Sequence, residues 1–277
     1  MSRRRKVSPR VAGLVAGATT ALAWRSLRSS PTAADPTWHR QNFRDREVSL
    51  LLGPAVAAGA IVGLAAAGSA PRRRATLAVA AIGLVGAYDD QYGNSHARGL
   101  GGHLEALRHG RVTTGVVKLV TMGGVAAAAS RRQHRKPIDV ALGTVLVAGT
   151  ANLVNLFDLR PGRAAKVTSV AAFALSRVGD PTARAVASVA GSVAGAALGP
   201  DVREHAMLGD CGASALGATL GWSLATRPSR LGRIAAASGV VAATLASERT
   251  SFSAVIEANP VLRTIDGLGR VRDRRGR

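Results

Sequence analysis

The sequence predicts an all-α protein, a polytopic transmembrane helical bundle of about nine spans, with eight to ten as the range. Three observations predict it. Hydrophobic residues make up 47% of the 277-residue chain while aromatics make up 3%, so the apolar content is mainly Ala, Val, Leu and Gly. Small residues let helix backbones approach closely in a bilayer, whereas glycine weakens a helix in water, and many of the 32 glycines fall inside apolar runs. Charged residues act as punctuation, dividing uncharged runs that have almost no polar helix face. Short apolar runs also build the core helices of water-soluble bundles, but nine of them joined by basic loops are hard to fold in water.

The elements follow in chain order. Arg3, Arg4, Arg5 and Lys6 precede the apolar run Val11–Trp24, which mimics a signal peptide. No small-residue cleavage site follows before Arg25 and Arg28, so the run reads as a retained first span. Val48–Pro71 is free of charge and long enough to cross a hydrocarbon core of ~30 Å. Ala75–Tyr88 and Val112–Ser130 follow, the latter broken only by Lys118, and then Ala141–Phe157. Val167–Ser176, Ala185–Pro200, Cys211–Thr226 and Ile234–Ser247 complete the set. Several are shorter than the ~17 residues a span normally needs, and flanking arginines can snorkel to lengthen them. Residues 1–269 form one transmembrane domain, and the Arg-rich stretch 270–277 reads as a basic disordered tail.

The formal net charge of +21 suits either nucleic acid or anionic headgroups and phosphorylated substrates. With three Trp, two Tyr and four Phe there are few stacking platforms, and no nucleic-acid-binding motif is present, so nucleic acid is not an expected partner. Cys211 is the only cysteine, which excludes an internal disulfide and a thiolate metal cluster. Lys and Arg number 19 on one side of the nine-span topology and 17 on the other, so the positive-inside rule does not orient the chain. Parity does place Asp89, Asp90, Asp158 and Asp210 on one face.

Three segments carry chemistry. The third run closes with Ala87-Tyr-Asp-Asp-Gln-Tyr-Gly93. Paired carboxylates at a membrane boundary need a cation, a proton or a partner, though Asp is also common in helix-ending turns. The fifth run closes with Asn152-Leu-Val-Asn-Leu-Phe-Asp158, and spacing by three puts Asn152, Asn155 and Asp158 on roughly one helix face. Such a face can bind a polar headgroup together with a divalent ion, or it can serve hydrogen bonds between helices. The eighth run opens with Met207-Leu-Gly-Asp-Cys-Gly-Ala-Ser-Ala-Leu-Gly217. Asp210 sits at or near a helix N-cap, and Gly209 and Gly212 leave the backbone open for a phosphate to reach free amides.

Taken as a set, Asp-Asp, Asn-x-x-Asn-x-x-Asp and Gly-Asp-x-Gly-x-x-x-Leu-Gly, each at a helix end, resemble the polyprenyl-phosphate sugar-1-phosphate transferases. The resemblance spans roughly Trp38 to Arg270 and implies a ten-helix membrane fold that uses Mg²⁺. It also implies that a polyprenyl phosphate attacks the β-phosphate of a UDP-sugar, giving a lipid pyrophosphoryl sugar and UMP for cell-envelope polysaccharide or peptidoglycan precursors. By that resemblance Asp89 and Asp90 are catalytic, deprotonating or orienting the lipid phosphate. Asn152, Asn155 and Asp158 shape the nucleotide-sugar site, and Asp210, with Asp158, holds the metal. The segment Trp38–Val48 takes the place of the first cytoplasmic loop. The resemblance further implies a plasma-membrane protein with its site facing the cytoplasm, and allows for a homodimer.

Lys118 lies inside an apolar run, where a lysine is a functional candidate by default; its partner is the lipid phosphate or a buried carboxylate. His103, in the loop after the third run, is a candidate substrate ligand or a solvated surface histidine. After Asp158 the chain reads Leu159-Arg-Pro-Gly-Arg163, so Arg160 and Arg163 bring positive charge where the family has a further aspartate, and they are expected to contact the diphosphate. The family's histidine-rich motif is absent from Ser247–Arg270. That absence motivates an alternative, a catalytically inactive relative that binds lipid-linked intermediates as a scaffold or regulator. A small transporter using Asp158 and Lys118 as an ion pathway is a third reading.

Overall fold

A computed structural model of the chain describes residues 8–67, 70–93 and 99–271. Side chains cap several of the helices. Ser8 caps α1 (Pro9–Arg28), accepting from the Val11 amide with Pro9 at the first helical position. A short antiparallel hairpin, β1 (His39–Gln41) and β2 (Glu47–Ser49), precedes α2 (Leu52–Ala66). Then come α3 (Ala70–Tyr92), α4 (Gly99–Arg108) and α5 (Thr114–Gln133), whose first turn is capped by Thr113. α6 (Pro137–Thr144), a π-helical turn (Val145–Gly149) and α7 (Thr150–Phe157) form one continuous helical run. α8 (Arg163–Arg177) is followed by Asp180, which caps α9 (Pro181–Val202) through the amides of Thr182 and Ala183. The chain ends with α10 (Gly209–Ala225), α11 (Arg230–Arg249), α12 (Phe252–Ala258) and α13 (Pro260–Gly267).

α10 is the axis of the bundle. It is buried along nearly its whole length and packs against α2, α3, α7 and α9. Its small residues make this possible: a side chain at Gly217 or Gly221 would run into the backbone of Thr150 or Leu146. The same device joins α3 to α10, where a methyl group at Gly86 would fall inside contact distance of the Asp210 carbonyl. Such close approach is the gain that offsets glycine's weak helix propensity. The hairpin is tied to the loop before α10 by Ser49, whose carbonyl accepts from the Met207 amide at 3.0 Å.

The all-helical character expected from the sequence is present, but the count of about nine spans is not. Among the described residues, two helices are long and apolar enough to cross a membrane, Pro137–Phe157 and Pro181–Val202. The discrepancy has a physical cause. Absence of charge is not the same as hydrophobicity, and runs of Ala and Gly interrupted by Ser and Thr fall short of an apolar span. The run Val48–Pro71 spends its first residues on a strand and a turn, leaving the 15-residue α2. The run Cys211–Thr226 becomes a 17-residue helix sheathed by protein rather than by an outer surface.

Of the tail expected at 270–277, the first two residues are held by the bundle. Arg270 donates to the Pro161 carbonyl and to Asp266, and the Val271 carbonyl accepts from Arg44; residues 272–277 lie outside the described part.

Two glycines test the packing account. Gly86→Ala should destabilise the fold by about 1–3 kcal/mol through overpacking against α10. Gly123→Ala, which meets nothing within 4 Å on α5, should stabilise it by roughly 0.5–1 kcal/mol through helix propensity. Thermal unfolding of the two variants should therefore move in opposite directions.

Candidate active site

The C-terminal ends of α3 and α7 and the N-terminal ends of α5 and α10 meet at one pole of the bundle. Between them lies a cavity of about 340 Å³ lined by Arg40, Asp89, Asp90, Thr114, Asn155, Asp158, Met207 and Asp210, among others. The three sequence segments separated by more than a hundred residues thus supply side chains to a single cleft.

Asp90 does not act as sequence reasoning expected. α10 starts without a side-chain cap of its own, and Asp90 reaches across from α3 to provide one. Its Oδ1 accepts from the Asp210 amide and its Oδ2 from the Cys211 amide, each at 2.8 Å. A carboxylate at a helix N-terminus satisfies orphan amides and meets the positive end of the helix dipole. Asp158, closing α7, accepts from the neighbouring Gly209 amide. The expectation that a phosphate would occupy these amides is therefore corrected, because two carboxylates already do. Gly209 has φ +61°, and a Cβ there would stand 2.9 Å from both Asp90 oxygens, so the turn needs glycine. Asp90 is 6% exposed; burial, and then the nearby Asp210 carboxylate, push its carboxyl up to about 7.

With its own amide fixed, Asp210 presents its side chain to the cleft. Its Oδ1 lies 2.5 Å from Lys118 Nζ, and the Asp89 Oδ2 lies 3.2 Å from the same nitrogen. Asp89 and Asp210 are themselves in hydrogen-bonding contact. Lys118, one turn into α5, is thus the hub of an Asp89–Lys118–Asp210 triad. Burial works to lower its ammonium group, but Asp210 and Asp89 outweigh burial and hold it above its ordinary value. Sequence reasoning left Lys118 between a lipid phosphate and a buried carboxylate, and here it pairs with carboxylates.

Asn155 and Asp158 reach the cleft, whereas Asn152 is not among the residues that line it. Burial, followed by the carboxylates of Asp201, Asp90 and Asp210, pushes Asp158 well above the usual range, and its Oδ2 is buried with no partner. Arg160 lies at the side, its guanidinium 4.2 Å from the Phe43 ring centroid and 3.1 Å from Glu257. Arg163 does not face the cleft at all. It is 3% exposed and forms a two-pronged pair with Asp266, Nε and Nη2 each at 2.9 Å, while Nη1 donates to Ser253. A carboxylate from α13 has claimed the charge assigned to diphosphate binding. The side chain of His103 lies outside the described residues.

Three cleft residues were missed. Arg40, on β1, donates to the Asp90 carbonyl and lines the cavity. Thr114 hydrogen-bonds Asp89. Asp201, at the end of α9, is 1% exposed with an unpartnered Oδ2 and lines a smaller side cavity of about 180 Å³ that shares Asp158 and Met207 with the cleft. Pro200-Asp201 gave a sequence signal only as a helix end, and Arg40 sat among many arginines.

The donor set fits Mg²⁺ better than a softer ion. Its available ligands are oxygens, one of them the orphaned Asp158 Oδ2, and they face a cavity large enough for phosphates. Among the described residues no three His, Cys, Asp or Glu side chains enclose a metal by themselves. No protein-family model matches the chain, and no curated protein matches it.

Asp90 and Asp210 should separate in a stability assay. Asp90→Ala removes the cap of α10 and should cost about 1–2 kcal/mol, with Asp90→Asn intermediate. Asp210→Asn leaves the cap intact and should cost well under half as much, as read by denaturant unfolding.

Proposed function

We propose that the protein transfers a sugar-1-phosphate from a UDP-sugar to a polyprenyl phosphate in a Mg²⁺-dependent reaction that releases UMP, supplying cell-envelope polysaccharide or peptidoglycan precursors. The observation that carries this reading is the Asp89–Lys118–Asp210 triad at the rim of a cleft that also holds Asn155 and Asp158.

Two anionic reactants repel each other, so such a reaction needs fixed countercharge and orientation more than covalent help from the protein. Lys118 and Arg40 supply cations at the cleft. Asp89, beside Lys118, accepts or orients the proton of the lipid phosphate, and the Asn155 carboxamide is placed to hold the nucleotide-sugar. An oxygen of the lipid phosphate forms the new bond to the β-phosphorus. The bond from that phosphorus to the bridging α–β oxygen breaks, and UMP departs with the electron pair. Mg²⁺, held by Asp210 with Asp158, would supply charge neutralisation on the diphosphate.

Membrane association is supported by the two long apolar helices and by exposed apolar side chains on the outer faces of other helices. Leu14, Leu84, Val120, Val170 and Leu231 are each at least 69% exposed, a pattern that marks lipid or protein contact. In this reading the site faces the cytoplasm, where nucleotide sugars are made. The missing histidine motif, and Arg163 locked to Asp266, favour as second reading the inactive relative that binds lipid-linked intermediates.

A panel of UDP-sugars incubated with polyprenyl phosphate and Mg²⁺ tests the proposal. The expected result is UMP release with one sugar, abolished by chelation and lowered ~100-fold or more in Asp210→Asn, in line with loss of one electrostatic group. No turnover with any UDP-sugar overturns the transferase reading. Wild-type growth of Asp89→Asn and Asp210→Asn strains alongside a defective deletion strain would establish the second.

A further inference from the structure

α12 and α13 are built inside out for a helix on a water-soluble surface. In α13, Val261, Leu262 and Ile265 are 66, 40 and 52% exposed, and their i, i+1, i+4 spacing puts them on one face; Leu268, the residue that ends the helix, is 59% exposed. Val255 of α12 adds a further exposed apolar side chain. The polar flank is turned toward the protein instead. Asp266 is held by Arg163 and Arg270, and Lys166 donates to the Asp266 carbonyl at 2.6 Å. Asn259 caps α13 through the amides of Val261 and Leu262, so the helix is fixed rather than loosely tethered. Ion pairs therefore pin the polar side and leave the apolar stripe exposed among the described residues.

Two observations say what covers it. α12 is joined to the end of a helix apolar enough to cross a membrane, because Phe252 stacks on Phe157 with ring centroids 4.3 Å apart. The pair must then lie where that helix would leave the hydrocarbon. Exposed cations also stand on the same stretch of chain, Arg249 at the end of α11 and Arg263 within α13, and the sequence continues with Arg272, Arg274, Arg275 and Arg277. Basic residues beside an apolar stripe fit a surface of anionic headgroups. We propose that α12 and α13 lie in the plane of an anionic lipid surface, with Val261, Leu262, Ile265 and Leu268 immersed at the headgroup–acyl boundary. Asp266 then links that contact, through Arg163, to the loop Leu159–Gly162 beside the cleft. The inference rests on the membrane placement and not on the transfer chemistry.

Spin labels on cysteine variants of the full chain provide the test, since Cys211 is buried. Val261→Cys, Leu262→Cys, Ile265→Cys and Leu268→Cys would be labelled singly and reconstituted into vesicles of phosphatidylcholine and phosphatidylglycerol, with Arg263→Cys and Thr264→Cys as controls. Collision with oxygen should exceed collision with a water-soluble nickel chelate at the four apolar positions and not at the controls, and the preference should shrink in phosphatidylcholine alone. Nickel preference at all four positions overturns the proposal. Spin–spin broadening at these positions would place a second copy of the chain on the stripe and overturn it equally. Should one label disturb the Asp266–Arg163 pair, the remaining three positions still decide the outcome, and none of these readings depends on turnover.

Discussion

The arrangement of the pole depends on one interaction, the capping of α10 by a carboxylate from another helix. Asp90 accepts the amides of Asp210 and Cys211, and Asp158 takes the amide before them. Those bonds set where the central helix begins and how it is rotated. Asp210 then has only one place to put its side chain, against Lys118 and Asp89. The close approach of α3 at Gly86 brings the two helix ends near enough for this to happen. A packing constraint thus becomes an electrostatic one.

Charge at this pole is unbalanced by design of the fold. Asp89 and Asp210 pair with Lys118, Asp90 and Asp158 line the same cleft, and Arg40 stands at its margin. Taking so many carboxylates out of water is expensive unless each has a partner. Asp90 finds its partners in backbone amides and Asp89 and Asp210 find theirs in Lys118, while one oxygen of Asp158 remains without any. That unmet demand, at a cavity of about 340 Å³, is what the proposed cation and its phosphate ligands would answer.

Much of the helical layout was legible in the sequence because charges mark the ends of uncharged runs; Arg25 and Arg28, in the last turn of α1, are examples. The acidic helix ends were legible for the same reason, but the parity that grouped them on one face counted nine spans that the structure does not have. The number of membrane-crossing helices was not legible, since alanine and glycine leave a run uncharged without making it apolar enough. Nor was the division of labour between adjacent aspartates. Asp89 and Asp90 look alike in sequence, yet one turns to the cleft and the other to the amides of a helix 120 residues away. Arg163 was misassigned because its partner, Asp266, lies beyond the reach of any local pattern. Distant pairings of this kind are fixed by tertiary packing alone.

A divalent cation bound at the pole through Asp210 and its neighbours is what the proposed chemistry requires. Electron paramagnetic resonance with Mn²⁺ as a stand-in for Mg²⁺, on the purified full chain with polyprenyl phosphate present, reads this directly. One bound ion in the wild type, weakened at least tenfold in Asp210→Asn and displaced by excess Mg²⁺, is the predicted result. Binding of equal strength in the wild type and in Asp210→Asn, or none in either, would contradict it.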